Sequence, residues 1–377
     1  MSRVSLDELR ERTLWRQFPD LPGRDGEAVL ALVDRLGPIQ SQVPRAPFLT
    51  ASSRLPGVRY TDVRDLFASF VVLKTSSLRG TVHTSGRRLF PWLDAVARPG
   101  RAGPLRTQLD LAGVSAADVV AEIEAYADDA WRSRADIVTH LRDWLAEHES
   151  AASAAALTGT FRENLIWGHS GLLRRPPDDR WEKRTDVYHR RARSVVPELG
   201  TTTVAEALAH LVRVYLGALG PATRQDLAYF FGTGLTVADA AVTSLGDEVV
   251  RLTGPEGETF LDLAEPPPAH PRALGVRLLP EFDALVVGYH QRNRTRFVTA
   301  DGLGELWARA NGQFAPVVLL DDRLVAIWRT VGTSRRTIIE VTPLPGHHPP
   351  PEDLLGSAAL AVAAALGLPE VEVRLEV

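Results

Sequence analysis

Ser133-Arg134-Ala135-Asp136-Ile137 returns ninety residues later as Thr223-Arg224-Gln225-Asp226-Leu227. Each copy begins with a hydroxyl side chain suited to capping a helix N-terminus. Each also follows a stretch with helical apolar spacing, 119–131 in the first case and 204–216 in the second. Helix, short turn and capped second helix make the helix-turn-helix pattern. A tetrapeptide alone recurs by chance; the matched upstream helices make this recurrence a repeat. After the first copy, Leu165-Ile166-Trp167-Gly168-His169-Ser170-Gly171-Leu172-Leu173-Arg174-Arg175 reads as a strand, a turn and a basic strand. Such a wing sets arginines such as Arg174 and Arg175 against phosphates. An ordinary solvated hairpin has the same sequence pattern.

Toward the C-terminus, Pro266-Pro267-Pro268 marks a boundary. Beyond it, the β-branched runs 316–320, 324–328 and 337–341 are divided by turns at Asp321-Asp322 and Gly332-Thr333-Ser334. That is a meander, with Arg335 and Arg336 at a hairpin end as candidate groove contacts. A closing helix at 352–366 and a last strand at 371–377 follow. The expected class is α+β: tandem winged-helix modules followed by a C-terminal β-barrel-like meander. The modules divide at 1–105, 106–200, 201–265 and 266–377.

Toward the N-terminus, Ser5 and Glu8 form a capping-box signature for a helix over 5–16. A second helix, 27–36, stops at Gly37-Pro38. Then comes Ile39-Gln40-Ser41-Gln42-Val43-Pro44-Arg45. The flanking prolines disfavour a continuous helix. In an extended segment, residues two apart face the same way, so Gln40 and Gln42 present two carboxamides to one point. Such a pair holds a water or a base edge through donors and acceptors together, yet neither amide is a strong general base. An isolated Gln-x-Gln is ordinarily surface or turn chemistry. Helices are expected at 48–55 and 62–70. Ser76-Ser77-Leu78-Arg79-Gly80-Thr81-Val82-His83-Thr84 follows. On a strand, Arg79, Thr81 and His83 share one face and suggest a ligand-facing surface. A lone histidine is more often structural.

Composition narrows the chemistry. The chain has no cysteine, which removes disulfides, Fe–S clusters, thiolate zinc sites and cysteine nucleophiles. No paired-histidine helix pattern is present, and neither a metal nor a cofactor is expected. Lys74 and Lys183 are the only lysines, so a Schiff-base lyase is disfavoured against hydrolysis. The net charge is −4, but it is segregated. Residues 1–100 carry 15 basic against 10 acidic side chains, 161–200 nine against six, and 110–160 three against ten. A basic face is compatible with that pattern. No long apolar run or apolar leader core appears, so a cytoplasmic monomer without a membrane segment is expected.

The Gln40-Ser41-Gln42 stretch resembles the Gln-x-Gln motif of the AlkZ-like bacterial DNA glycosylases. Arg79-Gly80-Thr81-Val82-His83 resembles that family's Arg-Gly-Thr-x-His segment. Gly220-Pro221-Ala222-Thr223 is similar to part of its third winged helix. Leu278-Leu279-Pro280-Glu281-Phe282-Asp283 and Gly288-Tyr289 are similar to its C-terminal segments. Where this chain has Ser41, the family usually has an apolar residue, which leaves the substrate subclass open.

The resemblance implies tandem winged helices and hydrolytic excision of cationic N7- or N3-alkylated purines from double-stranded DNA. Its Gln-x-Gln branch includes enzymes that unhook interstrand crosslinks made by alkylating antibiotics. A crosslinked base does not swing into a tight pocket, so a shallow basic concavity is expected. Gln40 and Gln42 are then the catalytic pair. Arg45, Arg79, Thr81, His83, Arg174, Arg175, Arg335 and Arg336 are the DNA contacts. Two other classes fit the same elements: a non-catalytic winged-helix regulator, and a protein that sequesters the drug or shields the lesion.

Overall fold

The capped helices of the sequence appear where local chemistry puts them, in a mixed α+β structure. The computed structural model describes residues 2–266, 273–307, 314–332 and 336–376. Pro267 and Pro268 of the proline run, the turn residues Thr333 and Ser334, and Arg335 lie outside the described residues. The chain divides into two compact units. One combines residues 1–66 with 209–377; the other is the contiguous stretch 67–208.

In the first unit, the helix Leu6–Gln17 starts at a reciprocal capping box between Ser5 and Glu8. Just before it, Ser2–Arg3 pair in parallel with the strand Val249–Thr253, which is hairpinned to Thr259–Leu263. Val4, Leu9, Leu252 and Phe260 close the core between them. The second repeat copy is also a capping box: Thr223 caps the helix Arg224–Phe231 and Asp226 bonds back. Gly232 ends that helix in the left-handed conformation, at φ 67, which costs glycine little. The helix Leu235–Ser244 and the hairpin follow.

The C-terminal part of this unit is a five-stranded sheet. Its order is Val276–Leu279, Val317–Leu320, Arg323–Gly332, Thr337–Pro343 and Val371–Leu375. The first four strands are antiparallel neighbours; the last is parallel to Thr337–Pro343. The helix Glu352–Leu366 makes that crossover and packs Leu355, Ala359 and Val362 on the sheet together with Leu49. This corrects the barrel-like expectation: the sheet is open. A strand arriving through a helical crossover adds in parallel at one edge, and it does not pair with Val276–Leu279 at the other.

In the second unit, Ser133 and Asp136 form the capping box of the helix Arg134–His148. Ala116–Tyr126 precedes it. Val119, Ile123, Ile137, Leu141 and Leu145 from the two helices share a core with Ile166. The strands Val82–Gly86, Val72–Ser76, Leu172–Arg175, Tyr188–Arg191 and Arg132–Ser133 lie in that order, all antiparallel. The expected strand at 165–167 is instead the end of the helix Thr160–Trp167. The basic strand Leu172–Arg175 does form, paired with Tyr188–Arg191 across the loop 176–187. Among the described residues, no helix is long and apolar enough to cross a membrane.

Candidate functional site

The helix Gly26–Leu36 stops at Gly37, whose φ is 75. A Cβ there would come within 2.8 Å of the Val214 side chain, so both the turn and the space require glycine. Pro38 then carries the chain into the extended pair Ile39–Gln40. Ser41 is buried, with its hydroxyl donating to the Ile39 carbonyl at 2.9 Å. Gln40 on one side of it is half-buried and Gln42 on the other is exposed. The chain then turns into the helix Ala46–Arg54, which carries Pro47 in its first turn.

Gln40 lines a cavity of about 20 Å³, which also meets Gln17, Thr50, Arg54, Phe282 and Asp283. That space is about one water and far below a nucleobase. Behind it lies a buried ion pair. Arg54 Nη1 donates to Asp283 Oδ2 at 2.7 Å and Nη2 to Oδ1 at 3.0 Å. Nη2 also donates to Gln17 Oε1 at 3.1 Å and Nη1 to Ser53 Oγ at 2.9 Å. The Phe18 ring covers the guanidinium at 4.8 Å. Sequence reading missed this network; its only signal was Asp283 in the Pro280-Glu281-Phe282-Asp283 segment.

Arg45 is not an open cation. Its Nη2 donates to Glu281 Oε1 at 2.5 Å, and its Nη1 to Thr330 Oγ1 at 2.8 Å. The Arg45 guanidinium lies 5.6 Å from the Trp328 ring. It thus ties the turn after the glutamines to the 280–283 segment and to the strand Arg323–Gly332. Arg336 is exposed and pairs with Glu372, which raises its pKa.

The remaining candidates belong to the second unit, and the shared strand face expected for three of them is corrected. Leu78–Gly80 is a 3-10 turn with Arg79 at φ 53, and the strand starts only at Val82. Arg79 and Thr81 are half-exposed. His83 is buried, 3.0 Å from Ser77 Oγ and 3.1 Å from the Thr81 carbonyl. Burial, with the Arg79 guanidinium adding, pushes its pKa down to about 3, so the imidazole is neutral at pH 7.

Arg174 is buried as well. It donates to Ser76 Oγ, lies 3.7 Å from Asp186, and stacks over Trp167 at 5.2 Å. Burial, partly offset by Asp186, lowers its pKa to about 10. Asp186 also faces buried Lys74 at 3.5 Å. Neither His83 nor Arg174 is therefore placed to meet a phosphate. Arg175 is half-exposed over Trp131 at 5.3 Å, with Asp179 at 3.5 Å.

Three comparisons complete the site. The sequence profile described as DNA glycosylase AlkZ-like matches residues 33–367. An interstrand DNA cross-link repair glycosylase of Streptomyces sahachiroi is 27% identical over 379 residues, covering 96% of this chain and 96% of its own. The solved structure of the Streptomyces sahachiroi DNA glycosylase AlkZ aligns with a TM-score of 0.80 at 22% identity. That alignment covers 99% of this chain and 100% of the other.

Proposed function

The chain belongs to the AlkZ-like DNA glycosylase family, and from that membership we propose that it is a monofunctional hydrolase acting on the N-glycosidic bond of cationic alkylated purines, including interstrand crosslinks. The observation that carries the reading is the pair Gln40 and Gln42, half-buried and exposed on either side of the buried Ser41, within the matched region.

Alkylation at N7 of guanine or N3 of adenine puts positive charge on the base and makes it a good leaving group. Protonating the base is then unnecessary. What the enzyme supplies is a held water near C1′ and an environment suited to an oxocarbenium-like transition state. Gln40 and Gln42 position the water and the deoxyribose. Neutral carboxamides suit that task and would be poor at expelling an uncharged base. The cavity beside Gln40 is too small for a base, so the lesion meets the glutamines at the surface. This favours bulky and crosslinked purines over small ones that must be enclosed.

Arg79, Thr81, Arg175 and Arg336 are the side chains we assign to the DNA backbone, with Arg335, the residue before Arg336 in the sequence. Arg45 holds the glutamine turn in place through Glu281. His83 and Arg174 support the Arg79 turn and the basic strand from inside. The stretches 1–105, 106–200 and 201–265 act as winged-helix modules in this reading; the helix pair, third helix and hairpin of 204–263 support it for the third of them. The protein works on double-stranded DNA as a monomer.

The test is base release from a duplex carrying one N7-methylguanine, run beside a Gln40→Ala/Gln42→Ala protein. Abasic product from the native chain alone is expected, and a crosslinked duplex is the next substrate. Absence of product, with salt-sensitive binding of the native chain, would replace this reading with the lesion-shielding or regulatory one.

A further inference from the structure

The loop 176–187, between the paired strands Leu172–Arg175 and Tyr188–Arg191, is pinned at two points. Trp181 is 3% exposed. Its ring stacks on Phe67 at 5.0 Å and meets Phe70 edge-on at 6.4 Å. Burying so large a ring among aromatic partners holds the chain there. Five residues on, the buried Asp186 faces Lys74 at 3.5 Å and Arg174 at 3.7 Å. Between these anchors, the Lys183 backbone N–H donates to the Arg180 carbonyl at 2.9 Å and closes a turn. The side chains of Lys183 and Arg184 are exposed.

The carboxylates of the loop are engaged elsewhere. Asp179 lies 3.5 Å from Arg175, and Glu182 lies 3.3 Å from Arg180. Asp178 accepts the Arg180 backbone N–H at 3.3 Å, and Asp186 serves the two buried cations. The side chains of Lys183 and Arg184 make no ion pair or hydrogen bond among the described residues. Two neighbouring cations thus stand in water on a backbone fixed at both sides. Such a pair suits a partner with closely repeated negative charge, and a duplex carries one charge per about 1.7 Å of its axis. A loop held in place beforehand loses less conformational freedom on binding.

We propose that Lys183 and Arg184 are a phosphate-binding tip of this loop, taking the backbone role that the buried Arg174 does not fill. The partner is the phosphate backbone of duplex DNA. The inference rests on the reading of the chain as a glycosylase that acts on DNA. Contacts to phosphate carry no sequence information, so the pair strengthens binding to damaged and undamaged duplex by the same factor. Lys183 also reports on its own surroundings. Of the two lysines in the chain, Lys74 is 3% exposed and Lys183 alone is open to an amine reagent.

The experiment measures duplex binding across a salt series for the native chain, for Lys183→Gln/Arg184→Gln and for the charge-conserving Lys183→Arg/Arg184→Lys. Both positions are exposed, so the variants should fold. Removing both charges should lower the salt slope by about 2 and weaken binding on the order of 10- to 100-fold at about 0.1 M salt. The loss should be equal for an undamaged duplex and for one carrying N7-methylguanine, and the charge-conserving pair should bind like the native chain. In parallel, the native chain is acetylated with an N-hydroxysuccinimide ester and read by mass spectrometry. Bound duplex should slow acetylation of Lys183 severalfold, while Lys74 stays unmodified as the mark of an intact fold. An unchanged salt slope in the neutralised pair, or full-rate acetylation of Lys183 with duplex bound, would overturn the inference and leave the glycosylase reading standing. A native chain that binds no duplex would instead remove the reading on which the inference rests.

Discussion

Ser41 shows how much a single side chain's direction decides. It is buried with its hydroxyl bonded to the Ile39 carbonyl, so it is a packing residue between a half-buried Gln40 and an exposed Gln42. Ser41→Ala should cost about 1 kcal/mol of stability and leave base excision unchanged, as denaturation and activity assays on one preparation would show. The helix stop at Gly37 and the extended pair after Pro38 were legible in the sequence because glycine and proline end a helix there. The burial of His83 and Arg174 was not, because their surroundings come from elsewhere in the fold. Ser76 and Asp186 meet Arg174 only when the strands assemble, and an arginine's sequence carries no sign of that. Asp186 is the carboxylate that faces both buried cations, Lys74 and Arg174. Asp186→Ala should therefore destabilise the protein by about 3–5 kcal/mol, read as a fall in the denaturation midpoint at unchanged slope.

At the scale of elements, the repeat was legible because capping is local. A hydroxyl at the cap and a carboxylate three residues on satisfy each other's backbone donors in both copies. The copies differ in what surrounds them. Asp136 is exposed, whereas Asp226 is fully buried and also accepts from the His290 backbone N–H and the Asn293 side chain. Identical sequence patterns should then carry unequal weight. Asp136→Ala is expected to cost about 1 kcal/mol and Asp226→Ala about three times that or more, since it strands several buried donors. Equal losses in thermal denaturation would contradict this. Other elements were harder to read. Leu165-Ile166-Trp167 is a short apolar run, and such runs do not distinguish strand from helix. The closing helix was recognisable from its own pattern, but the direction of the strand after it was not, and that direction decides between a barrel and an open sheet.

For the whole molecule, buried neutral histidines set the response to acid. His83 and His169 both have pKa values pushed down to about 3 by burial, with neighbouring arginines adding, and His189 is lowered strongly for the same reason. Unfolded, these imidazoles titrate near the ordinary value of about 6.5. Below that pH the unfolded chain binds protons that the folded chain refuses, so stability rises with pH in this window. The contribution is complete above about 6.5 and is lost as pH falls toward about 3, by up to about 1.4 kcal/mol per pH unit for each histidine. Urea denaturation between pH 7 and pH 5 should show this decline, and His83→Gln should make it shallower by one proton's worth.

The first unit draws on both ends of the sequence: Ser2–Arg3 add to Val249–Thr253, and residues 1–66 join 209–377. The second unit is one uninterrupted stretch. During synthesis, residues 67–208 emerge with every partner their own core requires. The first 66 residues must wait on the ribosome until the last strands have left the exit tunnel. At translation rates of about 5–20 residues per second, the N-terminal helices spend roughly 15 to 60 seconds without their sheet. Nascent chains stalled shortly after residue 250 should therefore resist protease over the middle stretch while their N-terminal helices are still cut.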